Sequence, residues 1–272
     1  MSLYPALDIV GLTDVGMVRD CNEDAIASDV AMGFVVLADG MGGYQAGEVA
    51  SGIAVLSIAA ELTECILSQR SVGIDNALAS QQQAQLVREA VKTANSAIYN
   101  TAQIQPHCAG MGTTLILGLF SQQKLLCGHI GDSRLYRLRS QNLQQLTVDH
   151  SLLQEQIAAG IITAAQAKAA INKNLVTRAL GIAPEVSVEL NEFAVEVGDI
   201  YLFCSDGLTD LVEDTLIQST LNLSSNLESA AEMLLQVAND NGGHDNISVV
   251  LVRVRQSCQI QQSGHFLSWF TA

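Results

Sequence analysis

The period of apolar and polar positions changes several times along the chain, and each change marks an element. Leu7 to Thr13 alternates weakly, and Phe34 to Ala38 is a short apolar run that ends in Asp39 and Gly40, so both predict strands. Beyond the glycines, Val49, Ile53, Leu56 and Ala60 recur at helical spacing, and Leu86, Ala90, Val91, Ala94 and Ile98 form a second helical stripe. Ser71 to Ser80, with Gly73 and small polar residues, predicts the loop between them. Thr114 to Phe120, Lys124 to Ile130, Arg134 to Leu138 and Leu143 to Thr147 are parted by Gly, Ser, Gln and Asn, and together read as an antiparallel meander. Ser151 to Asn172, with Gly160 near its middle, predicts two short helices joined by a turn. Strands resume at Val186 to Leu190, Phe193 to Val197 and Tyr201 to Cys204. Helices over Thr215 to Leu221 and Leu227 to Asn239 and a last strand over Asn246 to Arg255 complete the pattern.

Blocks of adjacent strands separated by helices predict an α+β fold built on antiparallel sheets, whereas strict βαβ alternation would predict a parallel one. Neither a repeat nor a low-complexity linker divides the chain. Residues 1–256 are therefore expected to form one domain, with 257–272 as a C-terminal extension. Phe266, Leu267, Trp269 and Phe270 of that extension are expected to pack onto the body as a clasp.

Apolar residues make up 49% and charged residues 15% of the 272, a balance suited to a packed core. The apolar segment Ile53 to Leu67 is interrupted by Glu61 and Glu64 and is shorter than the roughly 20 residues a spanning helix needs. The N-terminus has no basic, apolar and small-residue succession of a secretory signal. A cytoplasmic protein without membrane association is expected. The formal charge of −15 opposes binding to nucleic acid or anionic membrane and points to a cation, or to a ligand held through one. Cys21, Cys65, Cys108, Cys127, Cys204 and Cys258 lack CxxC spacing and read as buried thiols, not as a disulfide framework or a zinc site.

The chemistry gathers at FVVLADGMGG, CGHIGDSRLYRL, YLFCSDGL and GGHDNISVVLVRV, which place Asp39, Asp132, Asp206 and Asp245 beside glycines or turns where apolar strands begin or end. One Asp-Gly is an ordinary turn. Four acidic residues in the same strand-end setting suggest carboxylates aimed by a sheet into one space, where like charges require raised pKa values or cations. Oxygen donors favour hard ions such as Mg²⁺ or Mn²⁺ over zinc. His107, His129, His150, His244 and His265 lack the tight pairing of a zinc-protease helix and read as structural.

In chain order, Arg19-Asp20-Cys21-Asn22-Glu23-Asp24, Asp39-Gly40-Met41-Gly42-Gly43, Met111-Gly112-Thr113-Thr114, Gly131-Asp132-Ser133-Arg134, Asp149-His150-Ser151, Ser205-Asp206-Gly207 and Asp245-Asn246 resemble the bacterial branch of the metal-dependent Ser/Thr protein phosphatases, the PPM or type 2C family. The resemblance spans roughly Ile9 to Val254. It implies a central antiparallel β-sandwich flanked by helices on both sides, with a helical flap at about 151–175 and a two-metal centre at one end of the sandwich. By motif, Asp39 would bridge two tightly bound Mg²⁺ or Mn²⁺ ions, Glu23 and the Gly40 carbonyl would serve one, and Asp206 and Asp245 the other. Asp132, with Asp206, would form a weaker third site. Arg19 would bind the phosphate, which suits a planar guanidinium. Asp24 and Asn246 would orient ligands and water from behind, and Thr113 and Thr114 would pack or hydrogen-bond beneath the site. The implied substrate is a phosphoserine or phosphothreonine protein, the product of a Ser/Thr kinase in signal transduction, and the implied enzyme is a monomer.

The implied reaction is hydrolysis by a cation-activated water without a phosphoenzyme, in keeping with the lack of CxxxxxR and DxDx[TV] motifs. Some family members carry a histidine directly after the Asp-Gly, where this chain has Met41. Methionine has no proton to give the leaving alkoxide, which leaves a water or a group such as His150 for that role. Three other classes fit less well. A catalytically dead phosphoprotein-binding module should have lost one of Asp39, Asp206 or Asp245. A phosphate loop at GMGGYQAG lacks GxxxxGK[ST] and has Gln45 where GxGxxG needs glycine. An EF-hand lacks its order of acidic positions.

Overall fold

The structure is a computed structural model, which describes residues 6–43, 46–71, 80–121, 123–168, 170 and 175–256. The expected clasp at 257–272, residues 72–79 of the expected loop, Cys258 and His265 lie outside the described residues. Strands β1 (Leu7–Asp14), β2 (Asp24–Asp29) and β3 (Phe34–Met41) precede helices α1 (Ala46–Ser71) and α2 (Ser80–Ile104). Then come β4 (Gly112–Thr113), β5 (Leu115–Ser121), β6 (Lys124–Ile130), β7 (Arg134–Arg139) and β8 (Asn142–Gln145). The short helices α3 (Leu152–Ala158) and α4 (Ala164–Lys168) are followed by β9 (Glu189–Ala194), β10 (Ile200–Cys204), α5 (Asp206–Thr209), α6 (Asp214–Leu223), α7 (Leu227–Asp240) and β11 (Ile247–Val254).

The strands form two antiparallel sheets, one in the order β1-β11-β10-β7-β8 and the other β2-β3-β5-β6-β9, with β4 paired to β3. Successive side chains of a strand face opposite sides, and β3 uses both. Val35 and Leu37 enter the layer between the sheets, where they meet Ile116, Phe203 and Val250. Val36 and Ala38 face Ala50, Ala54 and Ile58 of α1 and Val91, Ala94 and Ile98 of α2. Leu202 and Leu251 of the other sheet likewise pack against Ile217 and Leu221 of α6 and Ala231 and Leu234 of α7. The result is the expected α+β sandwich with helices on both outer faces. Phe120 and Tyr201 close its centre edge to face, with ring centroids 5.5 Å apart.

Several expectations change. The run from Thr114 to Thr147 is not one meander: β6 pairs with β5 and β9, whereas β7 pairs with β10 and β8 in the other sheet. The chain switches sheets at Gly131, whose φ of +106° is open to glycine and strained for other residues. The strands expected at Val186 to Leu190 and Phe193 to Val197 are one, β9, because Glu189 to Ala194 pairs without interruption along β6. β2 went unrecognised, since DAIASD carries too little apolar alternation to signal a strand. Helix α1 extends beyond Ile53 to Leu67, and Ala46–Ser68 is long and apolar enough by composition to cross a membrane. Here its Ala50, Ala54, Ile58 and Leu62 are spent on the core. Of the thiols in the described residues, Cys108, Cys127 and Cys204 are buried, but Cys21 and Cys65 are only partly so.

Candidate active site

Asp39 sits near the end of β3, Asp132 between β6 and β7, Asp206 directly after β10 and its Ser205 cap, and Asp245 just before β11. These strand ends converge. Glu23, Asp39, Asp132, Asp206 and Asp245 line one pocket of about 230 Å³ together with Arg19 and Gly40. Every residue assigned to metal or phosphate from the sequence is therefore in this pocket. Asp24 and Asn246 are 8% and 5% exposed and stand behind it.

The supports explain why the side chains point inward. The Asp39 carbonyl accepts from the Thr113 hydroxyl at 2.8 Å and from the Thr114 amide at 2.8 Å. The Asp39 amide donates to Thr114 Oγ1 at 3.0 Å. With both backbone groups held, the Asp39 carboxylate has its direction fixed from below. Thr114 Oγ1 also shares a hydrogen bond of 2.7 Å with Ser133 Oγ, which ties Asp39 to the turn bearing Asp132.

Asn246 does the same for the first loop. Its Oδ1 accepts from the Glu23 amide at 2.8 Å, and its Nδ2 donates to the carbonyls of Val15 and Cys21, each at 2.9 Å. Glu23 Oε1 accepts from the Gly47 amide at the start of α1, at 3.2 Å. Gly40 must be glycine, because a Cβ there would collide with the carbonyls of Gly47 and Glu23.

The pocket holds more negative charge than it can neutralise. Withdrawal from water raises Asp39 well above the usual carboxylate range, and Asp24, Asp206, Asp132 and Asp245 add repulsion. Burial likewise raises Asp206, with repulsion from Asp132, Asp210 and Asp245 behind it. Asp132 is pushed to about 6, by burial first and Asp149 second. Asp24 is pushed to about 7 by burial, although Ser205 donates to its Oδ2 at 2.8 Å. The other Asp24 oxygen, Oδ1, is buried without a partner.

Such a set fits hard cations. Five carboxylates and the Gly40 backbone supply only oxygen, and the orphaned Asp24 oxygen is free to accept from a water held near a cation. Mg²⁺-type ions retain several waters and need few protein ligands each, a demand that carboxylates and one carbonyl can meet.

Arg19 stands at the rim, with Nη2 2.7 Å from Asp245 Oδ2 and its side chain 48% exposed. Met41 lines the pocket where some family members have histidine. His150 does not reach it: the residue is 7% exposed, its Nδ1 accepts from the Gly131 amide at 3.1 Å, and its Nε2 faces Glu189 Oε2 at 3.1 Å. With both nitrogens engaged, it is not placed to protonate a leaving group.

Val176 also lines the pocket, a contact that sequence did not signal. It bridges to Ser151 at the start of the segment expected to be a flap, backed by Leu152 N–H to the Leu175 carbonyl at 2.9 Å and Thr177 N–H to the His150 carbonyl at 2.8 Å. A second groove of about 400 Å³ joins the pocket at Asp132 and Asp206. Leu153 and Ile157 of the flap form one side and Thr209 and Val212 the other. Arg134 at its floor makes three hydrogen bonds to the Asp149 carboxylate, of 2.9, 3.1 and 2.6 Å.

Comparison with known proteins gives one family. The protein phosphatase 2C family model matches residues 18–249. The serine/threonine phosphatase stp of Listeria monocytogenes is 35% identical over 245 residues, covering 88% of this chain and 93% of that one. The crystal structure of the Mycobacterium tuberculosis serine/threonine phosphatase PstP/Ppp superposes with a TM-score of 0.82 at 36% identity, covering 92% of this chain and 99% of that chain. A structure of the PstP catalytic domain in complex with two manganese ions superposes with a TM-score of 0.78 at 36% identity, over 92% of this chain and 99% of that chain. With the family model spanning most of the sequence and the sandwich and acidic pocket in place, the chain belongs to the protein phosphatase 2C family.

Proposed function

We propose that the chain hydrolyses phosphoserine and phosphothreonine in proteins by a metal-dependent mechanism without a phosphoenzyme. The observation that carries this is the single pocket in which Glu23, Asp39, Asp132, Asp206 and Asp245 converge beside Arg19. Mg²⁺ or Mn²⁺ held there would supply a water of lowered pKa as nucleophile and offset the charge of the phosphoryl group.

The chain's own residues divide the remaining tasks. Asp39, Glu23, the Gly40 carbonyl, Asp206 and Asp245 would hold the two tightly bound ions, and Asp132 with Asp206 would hold a weaker third. Arg19 engages the phosphoryl oxygens, a role its exposed guanidinium can take by sharing or leaving Asp245. Asp24 and Asn246 orient the ligands from behind. Met41 contributes no proton, so the alkoxide is protonated from water.

The flap bounds the route by which a protein substrate reaches the centre. The substrates are products of a Ser/Thr kinase in the cytoplasm, and the enzyme acts as a monomer, since a charge of −15 opposes self-association. The decisive experiment strips the protein of metal and follows a phosphothreonine peptide. Turnover should vanish with EDTA and return with Mn²⁺ or Mg²⁺, and full turnover in exhaustively demetallated protein would overturn the assignment.

A further inference from the structure

The turn that carries Asp132 into the pocket is built on a residue that cannot hold itself. Gly131 has φ +106°, and a Cβ there would meet Thr114 Cβ and Cγ2 at 2.7 Å. The turn must therefore be gripped from outside. On one side Ser133 Oγ is bonded to Thr114 Oγ1. On the other, His150 takes both backbone groups of Gly131: its amide donates to the Gly131 carbonyl at 2.8 Å, and its Nδ1 accepts from the Gly131 amide at 3.1 Å.

An Nδ1 that accepts carries no proton, so the proton of the neutral ring resides on Nε2. That nitrogen faces Glu189 Oε2 at 3.1 Å, which accepts it. Arg178 Nη1, 3.5 Å from the same nitrogen, can only donate, so with the proton on Nε2 it makes no hydrogen bond there and the shorter contact to Glu189 decides the tautomer. The plane of the ring is set by stacking on His129, with centroids 4.6 Å apart and an interplanar angle of 28°. The order Glu189, His150, Gly131, Asp132 thus runs from strand β9 to the wall of the pocket.

We propose that His150 is a positioning residue, fixed by Glu189 as the Nε2–H tautomer so that its Nδ1 holds the Gly131 amide and aims the Asp132 carboxylate. The proposal rests on the reading of Asp132 as a ligand of the weaker third cation. It gives His150 a role through the Gly131 backbone, not a proton-donating one.

The test compares His150→Leu, which loses the acceptor, with His150→Asn, whose Oδ1 can take the place of Nδ1, and with Asp132→Ala. Calorimetric titration with Mn²⁺ should show the tight sites filled in all three. The weak site should be weakened about tenfold or more in His150→Leu, be lost in Asp132→Ala, and be largely restored in His150→Asn. Phosphopeptide kcat should follow the same order with KM little changed. A weak site intact in folded His150→Leu but lost in Asp132→Ala would overturn this proposal alone. A weak site intact in Asp132→Ala would overturn the reading of Asp132.

Should His150→Leu not fold, Glu189→Met, at a residue 38% exposed, serves in its place. By releasing the tautomer it should weaken the same site about threefold, and no change would count against the proposal. Nitrogen NMR of the wild-type histidines gives a readout independent of turnover: His150 should be protonated at Nε2 and bare at Nδ1, and the opposite tautomer would refute the arrangement.

Discussion

His129 gives a prediction whose size follows from its surroundings. The residue is 1% exposed, neither ring nitrogen meets hydrogen-bond geometry, and its pKa is pushed down to about 4, by burial first and by His150 second, with the nearby Ser133 backbone opposing the shift only weakly. An unfolded histidine titrates near 6.5. Between those values the unfolded chain binds a proton that the folded chain refuses, so stability falls as pH falls through this window. The loss from this ring should reach about 2 kcal/mol near pH 5 and about 3 kcal/mol near pH 4. Burial raises Asp24 and Asp132, which act in the opposite sense by taking up protons preferentially in the folded state. Wild type and His129→Phe should therefore be compared by urea unfolding in EDTA, across the same pH series. The phenyl ring can keep the stack on His150 but does not titrate, and the carboxylates cancel in the difference. The variant should gain on wild type by about 2 kcal/mol between pH 7 and pH 5, and parallel curves would refute the claim that the ring is buried uncharged.

Asp39→Asn and Asp206→Asn should each lose nearly all turnover while melting in EDTA at or above the wild-type temperature, because each removes a charge repelled by its neighbours; wild-type turnover in either would dismiss the assigned centre. Arg19→Ala should raise KM for a phosphopeptide by roughly tenfold or more, the scale of losing a charge-assisted hydrogen bond, with Mn²⁺ affinity equal or slightly tighter as Asp245 is released; weakened Mn²⁺ binding with unchanged KM would make Arg19 structural. Arg134→Met should cost roughly 3–5 kcal/mol in urea unfolding, since it leaves the Asp149 carboxylate, at 13% side-chain exposure, without its charged partner and, among the described residues, with only the Gln145 amide donating to it; a loss below about 1 kcal/mol would show that water replaces the guanidinium.

The architecture was legible wherever burial imposes a period. The continuous apolar runs of β3, β5, β10 and β11 mark strands covered on both faces, and the stripes of α2 and α7 mark helices with one buried face. Sheet membership was not legible. β6 and β7 are separated only by Gly131 to Ser133 and look like neighbours in a meander, yet β7 pairs with β10, more than sixty residues away. Local pattern reports that a residue is buried, but which partner buries it depends on a chain reversal set by a single positive φ. β2 is the converse case. DAIASD is weak as a strand by itself, but it is held along its length by β3, with Asp24 opposite Asp39.

The same distinction separates the reacting groups from their supports. Asp39, Asp132, Asp206 and Asp245 could be found because an acidic residue beside a glycine or turn recurs at strand ends, each readable in a few residues, whereas Glu23 and the Gly40 carbonyl entered only through the family resemblance. The groups that aim them act across the chain: Asn246 on Glu23 over 223 positions, Thr114 on Asp39 over 75, and His150 on Gly131 over 19. No local signal in an Asn or a His says which distant amide it will hold. His150 illustrates the cost of reading chemistry by residue type alone. Imidazole is the usual proton donor near neutral pH, and the methionine after Asp39-Gly40 made a substitute donor attractive. Once the Gly131 amide occupies Nδ1 and Glu189 occupies Nε2, the ring has no proton to offer the pocket. On the proposed reading of Asp132 as a ligand of a cation with few other protein partners, that carboxylate depends on its backbone for direction, and the imidazole acts by holding the glycine turn, not by facing the substrate.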